Sequence, residues 1–152
     1  MTKMLSRVAD NLYWMSRYVE RAEGVTRLVE VNRDTDLEFQ ANETGRDYWQ
    51  SALSAMCAVD DFANDEIDDQ EFFILFSKNW SSSVLTCINM ARENARMVRD
   101  QLSEEIWVEL NNLYLFLNSP ALQGKFRSNP ENFFRRIIRF SLIFQGLSDA
   151  TI

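Results

Sequence analysis

The stretch that decides the fold lies at residues 5–28 and reads LSRVADNLYWMSRYVERAEGVTRL. Apolar residues recur along it in steps of three and four, and only one member of the series is polar: Leu5, Val8, Leu12, Met15, Val19, Ala22, Thr26 and Val29. A row of this spacing is typical of a long amphipathic helix with one buried side. Everything else in the chain is expected to pack around this helix.

A second apolar row lies beside the first, more than a quarter-turn round the helix at about 100° per residue, and consists of Trp14, Tyr18, Val25 and Leu28. Arg21 falls in the middle of this row. Because an unpaired buried charge is costly, the pattern predicts that Arg21 is largely buried and meets a carboxylate from another helix. Glu93 is the first candidate for that carboxylate and Asp100 is the second.

Glu20 and Gly24 lie close to Arg21 in the sequence, and each has its own interpretation. Glu20 shares a stripe with Arg17 and Arg27, which on most helices is a solvated face of weak ion pairs. Gly24 follows one turn later, and a glycine inside a helix costs about 1 kcal/mol relative to alanine. Its presence predicts the close approach of another helix.

Three groups of residues resemble the bacterial alpha-E domain family, whose members are all-helical and carry a Glu-Arg pair. The first is NLYWM at 11–15 with ERAE at 20–23, the second is ARENAR at 91–96 with VRDQ at 98–101 and EIW at 105–107, and the third is FQGLSDAT at 144–151. They cover roughly half of the chain, and residues 32–80 carry no motif of the family. The resemblance implies a chain about twice as long, of which this sequence is similar to the first half.

Length and composition indicate one helical domain over residues 1–152. The chain is 46% hydrophobic, enough for a single core, and its four glycines and two prolines are few for an all-β fold rich in turns. The net charge of −7 makes binding to nucleic acid or to an acidic membrane surface unfavourable.

The absence of histidine removes the commonest metal ligand and general base. Cys57 and Cys87 lie thirty residues apart without a paired spacing, and both are interpreted as reduced core residues. We therefore expect no metal and no cofactor. No apolar run has the length of a signal peptide or a membrane span, which predicts a soluble, cytoplasmic protein.

The rest of the chain predicts five further helices, for an antiparallel bundle of about six. The first helix extends to about residue 40, with Gly45 as the first stop signal, and the others lie at 46–59, 72–76, 82–101, 104–118 and 130–145, where Gly146 ends the last. Residues 60–71 hold seven carboxylates and are interpreted as a solvated connection, with Asp68 or Asp69 capping the next helix. Residues 119–129, with Pro120 and Gly124, are predicted to be a loop.

Charged residues of the helix at 82–101 complete the candidate site. Arg92 and Arg96 are one turn apart, with Glu93 and Asn94 between them. On an ordinary helix these arginines are solvated, whereas in a site they could hold a carboxylate or a phosphate through two hydrogen bonds each. The candidate binding site or buried polar network is therefore Glu20, Arg21, Arg92, Glu93, Asn94 and Arg96, with no catalytic residue assigned.

Three functions remain open. The first is an accessory or interaction module, since the resemblance implies work beside ATP-grasp-type ligases that join carboxylates to amines, and near transglutaminase-like proteins. The second is an enzyme of peptide or amide chemistry that uses buried Glu and Arg residues, and the third is a structural role in which Glu20 and Arg21 fix helix register. The wide apolar surfaces of the first and last helices also predict a homodimer with twofold symmetry.

Overall fold

The computed structural model describes the backbone of residues 2–41 and 48–151 and the side chains of residues 5–37 and 48–146. The predicted all-α class is confirmed. The helices are α1 (Thr2–Ala41), α2 (Tyr48–Ala55), α3 (Val59–Ala63), α4 (Gln70–Phe76), α5 (Val84–Met97), α6 (Glu104–Leu117), α7 (Leu122–Ser128) and α8 (Pro130–Thr151), with a 3-10 turn at Arg99–Gln101. In the part of the chain described, no helix is long and apolar enough to cross a membrane. The predicted stop at Gly45 lies outside the described residues.

Helix α1 is the centre of the fold, as predicted, and α5 makes the most extensive contact with it. The middle of the heptad row is buried, from Met15 to Val29, while Leu5 at its start is 69% exposed. Ala91 and Ala95 of α5 are fully buried and Ala22 of α1 is 1% exposed. These small side chains let the two helices pack closely.

Three predicted helix starts are confirmed by their capping hydrogen bonds. Asp69 accepts a hydrogen bond from the Phe72 N–H at the start of α4. Ser83 and Ser103 do the same at the starts of α5 and α6. Each cap satisfies one of the N–H groups that the first helical turn leaves without a partner.

The second predicted helix is wrong at its C-terminal end. Helix α2 ends before Cys57, which adopts a left-handed backbone conformation with φ of 55°. The Ala58 N–H bonds to the Leu53 carbonyl and the Cys57 N–H to the Ser54 carbonyl, which is the hydrogen-bond pattern of a Schellman helix end. The chain then restarts as α3, and Cys57 is exposed rather than in the core as expected, whereas Cys87 is buried as expected.

The predicted loop at 119–129 and the predicted end of the last helix at Gly146 are also wrong. Pro120 precedes α7, and Gly124 lies inside it. Helix α8 continues through Gly146. A side-chain Cβ at either glycine would meet nothing within 4 Å, so both are exposed helix positions where the moderate helix cost of glycine is tolerated.

The apolar side of helix α8 is covered largely by other helices of this chain. Its buried apolar residues face α1, α6 and α7, and they are Phe133, Phe134, Ile137, Phe140 and Phe144. The broad apolar surface that predicted an external partner for this helix is therefore largely used inside the bundle. Leu142 is the exception, at 56% exposed.

One end of the core is a phenylalanine cluster, defined by Phe72, Phe76, Phe126, Phe133 and Phe134 from α4, α7 and α8. Phe126 contacts the other four with ring centroids 5.2 to 5.7 Å apart in edge-to-face geometry. All five rings are at least 94% buried. Edge-to-face pairs add about 0.5–1.5 kcal/mol each beyond the burial of their area.

The loop between α4 and α5 is held by a network of hydroxyl groups around Ser77. The Ser77 hydroxyl donates to Asp65 and accepts from the Asn79 and Trp80 N–H groups. Trp80 in turn stacks on Phe73, with centroids 5.1 Å apart. Burial raises the pKa of Asp65, but the hydrogen bonds from Ser77, Ile67, Asn79 and Glu66 outweigh it, so the pKa lies below its usual 3.8.

Candidate functional site

One side of α1 carries two exposed aromatic residues and a partly buried tyrosine, followed by Arg21 and Leu28. We name it the α1 face and define it by Tyr13, Trp14, Tyr18, Arg21 and Leu28. The Tyr13 and Trp14 rings meet edge to face at 5.3 Å, Trp14 lies 6.2 Å from Tyr18, and the Arg21 guanidinium lies 5.8 Å from the Tyr18 ring. Tyr13, Trp14 and Leu28 are 57%, 48% and 37% exposed.

Arg21 lies where α1 meets α5. Its charge lowers the pKa of Cys87, although burial of that thiol has the larger effect and raises the pKa to about 11. From Cys87, helical spacing places Met90, Asn94 and Met97 on one stripe of α5. Met90 and Met97 of this stripe are 40% and 63% exposed.

The predicted burial and cross-helix pairing of Arg21 are wrong. Arg21 is only half-buried, and among the described residues it makes no ion pair. Glu93 instead bonds Arg96, three residues along its own helix, and both side chains are about half exposed. The reason is local, since residues three apart on a helix are neighbours whatever else packs nearby.

The interpretation of the six candidate residues as a buried polar network is also wrong. Glu20 pairs with Arg17 at 3.2 Å and is 59% exposed, as the ordinary interpretation predicted. A buried Glu20–Arg21 pair that fixes helix register is therefore absent from the described structure. The bond to Arg96 lowers the pKa of Glu93 below its usual 4.5.

The arginines of α5 do not converge on one point. The Arg92 Nε donates to the Asn111 side chain at 3.2 Å, and its guanidinium lies over the Tyr114 ring at 4.5 Å and the Trp107 ring at 5.5 Å. These contacts attach Arg92 to α6, while Arg96 faces Glu93. Asn94 donates back to the Met90 carbonyl of its own helix. A role of these residues in binding stays a prediction.

A cross-helix arginine pair does exist, twelve residues further along α1 than predicted. The Arg33 Nη1 lies 2.8 Å and 2.9 Å from the two Glu71 oxygens of α4. Burial raises the pKa of Glu71, and the bond from Arg33 opposes that rise. Sequence reasoning missed this pair because Glu71 belongs to an acidic stretch whose members looked equally solvated.

Gly24 lies on the same side of α1, between Arg21 and Leu28. A Cβ added there would meet nothing within 4 Å. The close approach of another helix of this chain, which the glycine predicted, is therefore not observed. The open space leaves room for a molecule from outside.

A groove between α1 and α8 was also missed from the sequence. This α1/α8 groove has a volume of about 370 Å³ and is lined by Glu30, Glu131, Arg135, Ile138, Arg139 and Leu142. It adjoins a smaller pocket of about 100 Å³ that shares Glu30 and Glu131. The spacing of Glu131, Arg135 and Arg139 in steps of four was the available signal, since it places all three on one stripe.

The fold and the exposed turn at Glu20–Arg21 define an all-helical domain marked by one Glu-Arg pair, which is the only such dipeptide in the sequence. A family model named Alpha-E, described as a predicted alpha-helical domain with a conserved ER motif, matches residues 4–152. The chain belongs to the Alpha-E family, and the match includes residues 32–80, where the sequence alone gave no motif. No curated protein and no solved structure was found to match.

Proposed function

We propose that this chain is an interaction module that binds a partner protein through the α1 face. The observation that carries the proposal is the continuous contact from Tyr13 through Trp14 and Tyr18 to Arg21, in which Tyr13 and Trp14 are exposed and Tyr18 and Arg21 are partly buried. Tyr, Trp and Arg are the residues most enriched at the energetic centres of protein interfaces. A row that contains all three is typical of a docking surface.

The chemistry of the α1 face indicates what its partner presents. Arg21 has guanidinium N–H groups and no carboxylate partner among the described residues, so an acidic side chain of the partner could take two of them. Trp14 and Leu28 would contact apolar residues around it. The partner surface is therefore apolar with a carboxylate near its centre.

The proposed partner is an ATP-grasp-type ligase that joins carboxylates to amines. Its support is the resemblance of the sequence to alpha-E proteins, which implies work beside such ligases. In this proposal the module holds a peptide or acyl substrate for the ligase, and its own residues do not take part in bond formation.

The alternative of an enzyme of peptide or amide chemistry is less well supported. General acid or base catalysis near neutral pH needs a carboxyl whose pKa is raised by burial. Glu20 and Glu93 are more than half exposed, and the pKa of Glu93 is lowered by its bond to Arg96. We therefore favour the accessory role.

A second copy could cover the α1 face when no ligase is present, and we propose that the isolated chain forms a homodimer with twofold symmetry. Contiguous apolar surface is seldom left exposed on a monomeric protein. A twofold contact uses the same patch on both copies, so each α1 face would be covered by the other. Ligase binding would then compete with the dimer.

The experiment measures binding of the purified full chain to an ATP-grasp-type ligase from the same organism, by calorimetry, and its mass by light scattering. Leu28→Ser and Arg21→Gln should each weaken ligase binding at least about tenfold and shift the dimer toward monomer. Leu115→Ser is the matched control for Leu28, since Leu115 is an exposed leucine of α6. Arg127→Gln is the control for Arg21, since the Arg127 guanidinium also lies over a ring, that of Phe72, at 4.3 Å.

The docking proposal fails if the ligase does not bind or if the α1-face variants and their controls bind equally. The dimer proposal fails separately if the unaltered chain is a monomer at micromolar concentration. A monomer that binds the ligase would leave the accessory role intact.

A further inference from the structure

The α1/α8 groove combines four charged side chains that do not pair with one another. Glu30 of α1 and Glu131 of α8 supply carboxylates, and Arg135 and Arg139 supply guanidinium groups. Within the described residues these four form no ion pair, although Glu131 and Arg135 have the spacing at which helical ion pairs form. Opposite charges thus line the same groove with their hydrogen-bonding capacity free.

The charges are arranged in order along α8. Glu131 comes first, Arg135 follows about 6 Å further along the axis, and Arg139 lies about 12 Å from Glu131, at 1.5 Å per residue. Glu30 adds a second carboxylate from α1. One end of the groove is therefore acidic and the other is basic.

The environment of Glu30 agrees with this division. Burial raises the pKa of Glu30, Arg27 lowers it, and the neighbouring charges of Asp34 and Glu131 raise it further, with a net rise. Concentrated negative charge at this end would be relieved by a bound cation. Ile138 and Leu142 provide apolar lining at the basic end, next to Arg139.

We propose that the α1/α8 groove binds a short peptide in its zwitterionic form, with the peptide ammonium at Glu30 and Glu131 and the peptide carboxylate at Arg135 and Arg139. An extended chain spans about 3.3–3.6 Å per residue, so a tripeptide of about 10 Å matches the distance from Glu131 to the arginines. The groove volume of about 370 Å³ lies in the usual range for small-ligand sites. An apolar C-terminal residue of the peptide lies against Ile138 and Leu142 at the basic end.

This site is separate from the proposed docking surface. Glu30 and Arg21 are nine residues apart on α1, which places them on opposite sides of the helix at about 100° per residue. Peptide binding in the groove rests on the proposed role of holding a peptide for the ligase, but it can fail or succeed independently of docking through the α1 face. The two together would describe a module that holds a peptide on one side of α1 and a partner protein on the other.

The probe is the tripeptide Ala-Ala-Leu with free termini, titrated into the isotope-labelled full chain and followed by amide chemical shifts. We expect saturable shifts at residues 30–34 and 131–142. Acetylating the peptide N-terminus or amidating its C-terminus should each weaken binding about threefold to fivefold, because each change removes one exposed charge pair.

Protein variants test which end of the groove binds the peptide ammonium and which binds the peptide carboxylate. Arg135→Gln with Arg139→Gln should weaken binding of the free peptide and abolish the effect of amidation, while Glu30→Gln should abolish much of the effect of acetylation. Arg136→Gln is the matched control, because the Arg136 guanidinium lies over the Phe116 ring at 3.8 Å on the α6 side of the same helix. It should bind the peptide as the unaltered chain does.

The proposal is overturned if no saturable shift occurs up to about 10 mM peptide, well above the millimolar dissociation constants of weak ligands. It is also overturned if blocked and free peptides bind equally, or if the shifts map to the α1 face. The arginine variants alter exposed residues and Glu30 is partly buried, so the melting temperature of every variant is measured, and an unchanged value will show that any loss of binding is not a loss of fold.

Discussion

The phenylalanine cluster and the α1 face are both built from rings in contact, yet one is closed and the other open. In the cluster, rings from α4 and α8 surround Phe126 of α7, which is 2% exposed. On the α1 face, Tyr13 and Trp14 meet in a similar edge-to-face contact, and about half of each side chain is exposed.

The difference lies in the chemistry of the rings. Phenylalanine has no polar group and gains most from complete burial, whereas tyrosine and tryptophan carry a hydroxyl or an N–H that needs a partner. The first kind of ring stabilises the fold from within. The second kind can remain at a surface in water and still supply a large contact area when another molecule binds.

The largest expected effect on stability comes from removing a ring of the phenylalanine cluster. Phe133→Ala removes a ring that contacts Phe76, Phe126 and Phe134 and should lower the free energy of unfolding by about 3–5 kcal/mol. Trp14→Ala removes a larger side chain that is 48% exposed, and its cost should stay below about 1 kcal/mol. Urea unfolding of both variants measures the contrast, and equal costs would show that the α1 face is part of the core after all.

A smaller effect on the free energy of unfolding should come from Asp65, and this effect should depend on pH. Because the pKa of Asp65 is lowered in the folded chain, its stabilising effect is present above about pH 3.8 and fades as the pH falls through the folded pKa. Asp65→Asn should cost about 1 kcal/mol at pH 7, where it weakens the bond from Ser77.

Unfolding measured from pH 7 down to pH 3 tests this linkage. The difference between the unaltered chain and Asp65→Asn should shrink as the solution becomes more acidic. A difference that stays constant would mean that the carboxylate charge contributes nothing to the Ser77 network.

The smallest expected effect comes from two glycine substitutions, which distinguish a change in stability from a change in ligase binding at the α1 face. Gly24→Ala and Gly146→Ala replace exposed helical glycines with nothing within 4 Å, so each should stabilise the chain by up to about 1 kcal/mol. Only Gly24→Ala should weaken binding of the ligase, because it adds a methyl group to the docking side of α1. If both variants bind alike, a partner does not approach α1 at Gly24.

The fold was predictable where local rules decide it. The heptad row identified the buried side of α1, and a carboxylate cap identified the start of α4. The errors came from Gly124 and Gly146, which were interpreted as breaks although an exposed helix tolerates a glycine. Cys57 was misplaced because nothing in its residue type predicts a left-handed helix end.

The site was less predictable, because spacing shows which side of a helix a residue occupies but not what faces it. Trp14 and Tyr18 were correctly placed on one side with Arg21. Their exposure depended on whether α5 or any other helix covers that side, which is a tertiary question. Glu93, the carboxylate expected to pair with Arg21, instead pairs with Arg96 of its own helix.

The two cysteines give the molecule a built-in reporter. Cys57 is exposed at the end of α2, whereas Cys87 is buried beside Arg21 and its pKa is raised to about 11. A thiol reagent at neutral pH will therefore attach a dye or a spin label to Cys57 alone, since the thiolate is the reactive form. After Cys57 is blocked, the rate at which Cys87 is modified measures how often α1 and α5 separate.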